Sequence, residues 1–351
     1  MSEFNADWLQ LREAADERAR ASPLNPALAE WNADDASHPE PRLIEILDLG
    51  AGTGANLRYL APRLGRGQRW RCIDQNPQLL AQLTGRSADW AHRHGYQVDL
   101  DTRGLRSTGA ALQLAGPDWD ALAYIEQRDL ATARHPENAL RPEPRVHSRL
   151  LSLPAQGLIT ASALLDLVSA DWLASLVERC RRADCALFFA LSYDGRAALR
   201  PSNPADQAII ALVNRHQRGD KGFGPALGPT AAAVAETLLA AAGYGYQGAR
   251  TDWQIGADEP ELQRALIAGW LEAARELAPP EARAKLRAWQ RERQAQIEAG
   301  VLAIQVGHRD LLAFPPGSEK KRSPRRGVHP SRRPKRLAAQ KLADQKPVAK
   351  D

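Results

Sequence analysis

The sequence predicts an α/β fold built on a mostly parallel sheet flanked by helices. Three observations carry that expectation. The apolar run "LIEILDL" (43–49) passes directly into Gly50-Ala51-Gly52-Thr53-Gly54 and then into helix-forming residues. One helix later "QRWRCIDQ" (68–75) reads as a second strand that ends in Asp74. Further on, "CALFFALSYDG" (185–195) is almost wholly apolar, as expected of a strand covered on both faces. Strands that alternate with helices point to a parallel sheet rather than to hairpins.

The elements follow in order. Residues 7–21 carry Trp8, Leu9, Leu11, Ala14, Ala15 and Ala19 among charges, a short helix lying on the domain. Its charged residues Arg12, Asp16 and Arg20 are read as an exposed face, with a cofactor-covering face as the alternative. "SPLNPALAE" and "DDASHPEPR" are proline-broken links. After the first strand a helix spans about 55–64, and after the second another spans about 77–94, with Leu79, Leu80, Leu83 and Trp90 inward. "ALAYIEQRDL" (121–130) is the candidate third strand, ending at Asp129, although "RVHSRLLSL" (145–153) competes for that place. "GLITASALLDLVS" (157–169) is strand as far as Ser162, and "ADWLASLVERCRR" is a helix with Trp172 and Cys180 on its apolar face. "NPADQAIIALVNRHQ" is helical, "RGDKGFGPALGP" is a loop, and "TAAAVAETLLAAAG" is a helix closed by Gly243. "YGYQGARTDWQI" reads as one strand, residues 259–278 and 281–299 as two helices, and "LAIQVGHRDLLAFP" (302–315) as the last strand. Each of those two helices has one apolar stripe, which predicts a hairpin packed over the sheet edge or, alternatively, a dimer face.

This gives three expected regions: an N-terminal helical cap (1–40), a central domain (41–317) with helical lid insertions at about 196–243 and 258–299, and a basic tail (318–351). The chain has a net charge of +5, yet the tail alone holds twelve Lys/Arg against three Asp/Glu. The body is therefore mildly acidic, and the basic balance says nothing about the folded part's partner. A hydrophobic content of 44% suits a globular chain, and no apolar run is long enough for a membrane span. The N-terminal residues lack the apolar core of a secretory signal. Cys72, Cys180 and Cys185 show no metal-like spacing and are expected to be reduced thiols in a cytoplasmic setting.

Glycine admits positive φ and leaves the backbone open to a ligand. A glycine-rich turn at the carboxyl end of the first strand lets a nucleotide-like ligand approach the next helix. Asp74 lies 20 residues beyond Gly54, at the end of the next strand, where a carboxylate can accept hydrogen bonds from ribose hydroxyls. An adenosine-bearing cofactor is thus expected. Gly50-x-Gly52-x-x-Ala55 also satisfies the dinucleotide fingerprint. Three features favour S-adenosyl-L-methionine instead: the alternating G-x-G-x-G, which suits a ligand without pyrophosphate, Asp48 before the turn, and Asp129-Leu130 after the third strand.

"LDLGAGTG", "CIDQNPQLL", "RDL" and "TASALLDLVS" together closely resemble the class I S-adenosylmethionine-dependent methyltransferases, over roughly residues 40–200 and more loosely to Phe314. The resemblance implies a Rossmann-like, seven-stranded, mostly parallel sheet with one antiparallel strand. It implies that Asp48, Gly50, Ala51, Gly52 and Gly54 hold the methionine part of the cofactor. Asp74 and Gln75 match the ribose contacts, Asp129 and Leu130 the adenine contacts, and Thr160 to Ser162 the strand end facing the methyl group.

The acceptor side is less determined. After the fourth strand there is no Asn/Asp-Pro-Pro-aromatic motif, and no cysteine follows a proline, so neither kind of DNA-base methylation is indicated. The mostly apolar "TASALLDLVSADWL" suits a small organic acceptor. Asp166 either orients that acceptor or caps a helix. His216 is either a base or a helix C-terminal histidine, and Lys221 either holds an acceptor anion or is a solvated loop lysine. His308, Arg309 and Asp310 lie in the last strand, where Arg309 and Asp310 are expected to pair with each other. Asp252-Trp253 is a further candidate lining. Trp90, Trp172 and Trp270 sit at core spacing. No metal site is expected.

The tail residues "EKKRSPRRGVHPSRRPKR" attract phosphate by charge alone and offer no aromatic ring for base stacking. The leading expectation is methyl transfer to a small molecule by in-line displacement. The alternatives are an RNA or protein methyltransferase recruited through the tail, and a non-catalytic nucleic-acid-binding adaptor.

Overall fold

The computed structural model describes residues 6–20, 24–33, 43–101, 111–131 and 151–317. The basic tail, and most of the competing third-strand segment, lie outside the described residues.

The first helix, α1 (Ala6–Ala19), precedes α2 (Leu24–Ala33), β1 (Ile44–Leu49), α3 (Ala55–Leu64), β2 (Gln68–Asp74), α4 (Pro77–Arg93), and the strands β3 (Gln97–Asp101), β4 (Ala111–Ala115) and β5 (Asp120–Gln127). Then come β6 (Leu158–Ser162), α5 (Ala170–Arg182), β7 (Ala186–Arg200), α6 (Asp206–His216), α7 (Ala231–Ala241), β8 (Gly245–Arg250), β9 (Trp253–Ile255), α8 (Pro260–Leu277), α9 (Arg283–Glu298) and β10 (Ala303–Phe314).

One sheet holds the molecule together, in the order β3-β4-β5-β2-β1-β6-β7-β10-β8, with β9 also pairing to β10. Strands β5, β2, β1, β6 and β7 are mutually parallel. β10 runs antiparallel to both β7 and β8. The seven strands from β5 to β8 thus form the mostly parallel sheet with one antiparallel member that the motifs imply. The central strands are buried almost throughout, β1 at every position but Glu45, because helices cover both faces. Leu24, Leu28, Leu57, Leu60 and Leu83 from α2, α3 and α4 fill one side, and Leu173, Leu176, Val177, Ala235 and Leu239 from α5 and α7 fill the other.

Local chemistry sets the helix starts. Asn76 caps α4 by accepting from the Gln78 and Leu79 N–H groups at 2.9 and 3.3 Å, with Pro77 in the first turn. Ser169 caps α5 by accepting from the Trp172 N–H at 3.3 Å.

Four differences from the sequence expectation have physical causes. Residues 24–33 are helical rather than a link, because Pro26 falls in the first turn, where its missing N–H costs nothing, and Leu24 and Leu28 are buried. Among the described residues the sheet has ten strands, since the antiparallel pair β3 and β4 extends it beyond β5 and β9 adds to β10. The expected strand 244–255 is broken into β8 and β9, which pair with different halves of β10. β7 continues to Arg200, beyond the expected end at 195.

That continuation of β7, with β9 and the start of β10, carries a third core. Tyr193, Leu199, Ile209, Trp253, Trp270 and Trp289 belong to it. The stripes of α8 and α9 close onto each other and onto α6 within one chain. Arg293, wholly buried on α9, donates to the Pro201 carbonyl at 2.7 Å and also bonds the Asp206 carboxylate. Trp172 donates to the Leu130 carbonyl at 3.0 Å, and Trp90 packs against Tyr96 and Trp119, so both tryptophans serve packing.

Candidate active site

At the carboxyl end of β1 the chain turns through Gly50, Gly52 and Gly54, with φ of 68°, 52° and 84°. All three lie in the left-handed region that side chains disfavour. A Cβ on Gly54 would stand 2.8 Å from Leu83 Cγ, and one on Gly50 would stand 3.3 Å from Leu164 Cδ1. The turn therefore requires glycine on both conformational and steric grounds. Asp74, half-buried at the end of β2, accepts from the Gly52 N–H and the Asn76 N–H, each at 2.9 Å. Each carboxylate oxygen keeps a lone pair. Arg128 N, one residue before Asp129, donates to the Asp74 carbonyl at 2.8 Å. Asp129 in turn accepts from the Ala131 N–H at 2.8 Å. Gln75 follows Asp74 and is exposed.

Beneath the turn lies a buried polar cluster. Asp48 is fully buried, and Asn56 donates to its Oδ1 at 2.7 Å and to the Thr160 hydroxyl at 3.1 Å. Among the described residues, Asp48 Oδ2 has no hydrogen-bond partner. Burial raises the Asp48 carboxyl to about 7, against the lowering effect of the Asn56 bond and the Arg20 charge. Asn56 also accepts from Arg20 Nη2 at 2.8 Å. Ser162, half-buried, ends β6. Just beyond, Ala163 takes φ 52° and Leu191 in β7 takes φ 53°. Such strain in non-glycine residues costs about 1–3 kcal/mol each and concentrates at functional sites.

Helix α1 closes this region from above, which corrects the expectation of an exposed charged face. Leu9 Cδ1 stands 3.1 Å from where a Gly52 Cβ would lie. Arg12 and Arg20 are buried. Arg12 holds Asp16 through two bonds of 2.8 and 3.2 Å. Arg20 stacks on Tyr59, its guanidinium carbon 4.0 Å from the ring centre. Burial lowers the Arg20 pKa, opposed by Asp310, Tyr59, Asp16 and Asp48. The helix is anchored at three further points: Arg58 to Glu13 at 2.7 Å, Arg18 to Glu259 at 2.5 Å, and Trp253 Nε1 to Asp16 at 3.0 Å.

β10 contributes the opposite wall. Its pairing with β7 shifts register between Val306 and His308 and again between Arg309 and Leu311, and bulges of this kind re-aim side chains. Asp310 is fully buried, accepting from the Leu191 N–H at 2.7 Å and the Thr251 hydroxyl at 2.8 Å. Burial raises its pKa. Arg309 points to the other face and pairs with Glu236 at 2.6 Å. The expected Arg309–Asp310 pair is absent because successive strand residues face opposite ways. His308 is buried against Trp253 and Tyr193, with ring centroids 4.8 and 6.2 Å away. Burial, reinforced by Arg12, lowers its pKa to about 3. Asp252 pairs with Arg196 at 2.7 Å and accepts from Gln305 at 2.8 Å.

Asp166, in the turn after β6, is buried, and burial raises its carboxyl to about 6. It does not cap α5, because Ser169 does. His216 lies elsewhere: it ends α6 and bonds the exposed Glu276 at 2.9 Å, so the helix-terminal alternative holds and the base role is not supported. Lys221 sits in the α6–α7 loop, and the described contacts do not tie it to the cluster. Sequence reasoning missed Asn56, Tyr193 and the inward role of Arg20. Asn56 had a legible signal, a polar residue one position into the helix behind the glycine turn. Arg20 had none, since its burial depends on where α1 docks. Among the described residues no group of His, Cys, Asp or Glu is arranged to hold a metal, and no helix is long and apolar enough to cross a membrane. The three cysteines are free and buried.

No protein-family model matches the sequence, and no curated protein matches it. Solved structures with similar topology include a sarcosine dimethylglycine methyltransferase of Galdieria sulphuraria, so described provisionally, at 13% identity and TM-score 0.34, covering 83% of this chain and 85% of that one. Another is a Mycobacterium tuberculosis cyclopropane synthase, at 11% identity and TM-score 0.36, covering 88% and 94%. A third is the Haemonchus contortus phosphoethanolamine N-methyltransferase 2, solved with phosphomonomethylethanolamine and S-adenosylhomocysteine, at 13% identity and TM-score 0.36. It covers 88% of this chain, which spans 60% of that enzyme's length. At these TM-scores the likenesses carry no argument about cofactor or acceptor.

Proposed function

We propose that the chain is an S-adenosyl-L-methionine-dependent methyltransferase acting on a small-molecule acceptor. The observation that carries this is the convergence, at the carboxyl ends of β1, β2 and β6, of a three-glycine left-handed turn, a half-buried Asp74 bonded to that turn, and a buried Asp48 with one unpartnered oxygen. The residues fit the cofactor. Bare backbone at Gly50 to Gly54, with Ala51 between, receives its methionine part, and Asp48 Oδ2 offers an acceptor to its ammonium. Asp74 and Gln75 take the ribose, Asp129 and Leu130 the adenine, and Thr160 and Ser162 flank the reacting end. When bound, the cofactor supplies a methyl group on a sulfonium.

The chain's own part is to align the acceptor and exclude water. The N-terminal cap, through α1, roofs the site, and the insertions at 196–243 and 258–299 wall it with α6 and α8. A site so closed suits a small acceptor better than a nucleic acid or protein, whatever the tail binds.

Titration calorimetry with S-adenosyl-L-methionine tests the reading. Wild-type chain binds, and Asp74→Ala weakens binding at least about tenfold, the loss of about 1.4 kcal/mol expected for a hydrogen-bonded carboxylate. No heat from wild type, or unchanged affinity in the variant, contradicts it. Deleting residues 318–351 should leave donor binding and small-acceptor turnover intact.

A further inference from the structure

A single amide ties the helix above the site to the strands beneath it. Asp48 lies opposite Thr160 in the β1–β6 pairing, and Thr160 lies opposite Phe188 in the β6–β7 pairing. Residues paired in this way stand in a row on one face of a sheet. Asn56, the second residue of α3, is buried and bonds to two members of that row. Its nitrogen carries two protons and uses both, one on Asp48 Oδ1 at 2.7 Å and one on the Thr160 hydroxyl at 3.1 Å. Its oxygen accepts from Arg20 Nη2 at 2.8 Å. Arg20 directly follows α1, and its N–H bonds the Asp16 carbonyl at 3.0 Å, so it belongs to the last turn of that helix.

The direction of this line of bonds is forced. A guanidinium only donates, so the Asn56 oxygen must face Arg20. An ionised carboxylate only accepts, so the Asn56 nitrogen must face Asp48. A flipped amide would satisfy neither. Arg20 is itself held in place. Its guanidinium carbon lies 4.0 Å from the Tyr59 ring centre and 5.7 Å from that of Phe188. Its carbonyl accepts from the Tyr59 hydroxyl and from Asn25 Nδ2. What the line of bonds leaves over is Asp48 Oδ2, without a hydrogen-bond partner among the described residues. With Oδ1 pinned by Asn56, the carboxylate plane is fixed and Oδ2 keeps one direction. The Asn56 bond and the Arg20 charge also favour the ionised form of Asp48 against burial. Asp310 leaves an oxygen over as well, but its bonds run to Leu191 and Thr251 and not to the residues of the glycine turn.

We infer that Arg20 and Asn56 are positioning residues for the donor's amino-acid end: Arg20, through Asn56, fixes Asp48 with Oδ2 turned to the donor's ammonium, so that α1 must be docked for that end to be held. The inference rests on the methyl-transfer reading and adds two residues that act on the donor only through Asp48. Asp74, which takes the ribose, is bonded to Gly52 and Asn76 and stands outside this line. The two ends of the donor are therefore gripped independently, and only one of them depends on α1.

The test compares two probes by titration calorimetry on the full chain. S-adenosylhomocysteine carries the amino-acid end, and 5′-methylthioadenosine lacks it. Wild type should bind the first at least about tenfold more tightly, as a charge-assisted bond to Asp48 requires. Arg20→Met keeps the bulk and donates no bond, and Asn56→Ala removes the amide. Each should weaken S-adenosylhomocysteine at least about tenfold and 5′-methylthioadenosine by under about twofold. Arg20→Lys, which still donates, should recover part of the loss. A merely structural role would weaken both probes alike, and that result overturns the proposal, as does an undiminished preference in either variant. If neither variant folds, hydrogen exchange of wild type decides. S-adenosylhomocysteine should protect the amides of residues 6–20 and 5′-methylthioadenosine should not; equal protection by both overturns the proposal. If wild type binds neither probe, the methyl-transfer reading fails and takes this inference with it. If wild type binds both equally well, that reading stands and only the inference falls.

Discussion

The two halves of the site are built from different materials. On the glycine side, within residues 47–76, the chain shapes the site with backbone: three left-handed glycines and one half-buried carboxylate bonded to their amides. On the α1–β10 side it uses buried charges drawn from residues 12–20, 166, 251–253 and 308–310, tied together by bonds such as Asp310 to Leu191 and Trp253 to Asp16. The first half tolerates no added atom. The second tolerates no lost partner. That difference says where each half breaks.

The largest effect is expected on the charged side. Asp310→Ala strips partners from the Leu191 N–H and the Thr251 hydroxyl and removes the main counter-charge of buried Arg20. Leaving a buried charge without its counter-charge, and two buried donors without an acceptor, costs about 3–5 kcal/mol, to be read by chemical denaturation. Next, Gly54→Val places a Cβ 2.8 Å from Leu83 Cγ at φ 84°. Overpacking and left-handed strain together predict a loss of about 2–3 kcal/mol, and donor binding falls with it. A loss at Gly54 that exceeds the loss at Asp310 would reverse the comparison.

A smaller effect of opposite sign comes from pH. The folded Asp48 carboxyl is raised to about 7 by burial, whereas an unfolded Asp titrates near 3.9. Between these values the folded state binds more protons than the unfolded one. Stability from this group is therefore full below about pH 4 and is lost as pH rises through about 7. Asp48→Asn should gain stability over wild type as pH rises from about 4 to about 8. It should also bind the cationic donor more weakly. Equal stability at both pH values would mean Asp48 has an ordinary pKa.

The smallest effect is at His216 and Lys221. Both side chains are half-buried, and replacing either with alanine should change stability by under about 0.5 kcal/mol, as surface substitutions away from the core do, and leave donor affinity unchanged. A loss of turnover at saturating acceptor in His216→Ala would restore the base role.

Much of the glycine half was legible because its signals are local. Helix α3 begins at Ala55 and β2 ends at Asp74, as the spacing of glycines and apolar residues implied. The charged half was not, because it is made by tertiary docking. Arg12, Asp16 and Arg20 look like one exposed helix face until α1 is laid across Gly52 and Trp253. The same holds for Arg309 and Asp310: neighbours in sequence, they are separated by strand alternation and sent to Glu236 and to the Leu191 N–H and Thr251 hydroxyl respectively. Residues 24–33 misled for a simpler reason, since a proline in a helix's first turn looks like a breaker when the helix start is unknown.

Both halves are claimed to serve one donor. Hydrogen exchange of the full chain, with and without S-adenosyl-L-methionine, measures this most directly. Amides of residues 47–58 and of residues 6–20 should gain protection together, over the same range of donor concentration. Protection of neither segment, or of the glycine turn without α1, would contradict the account.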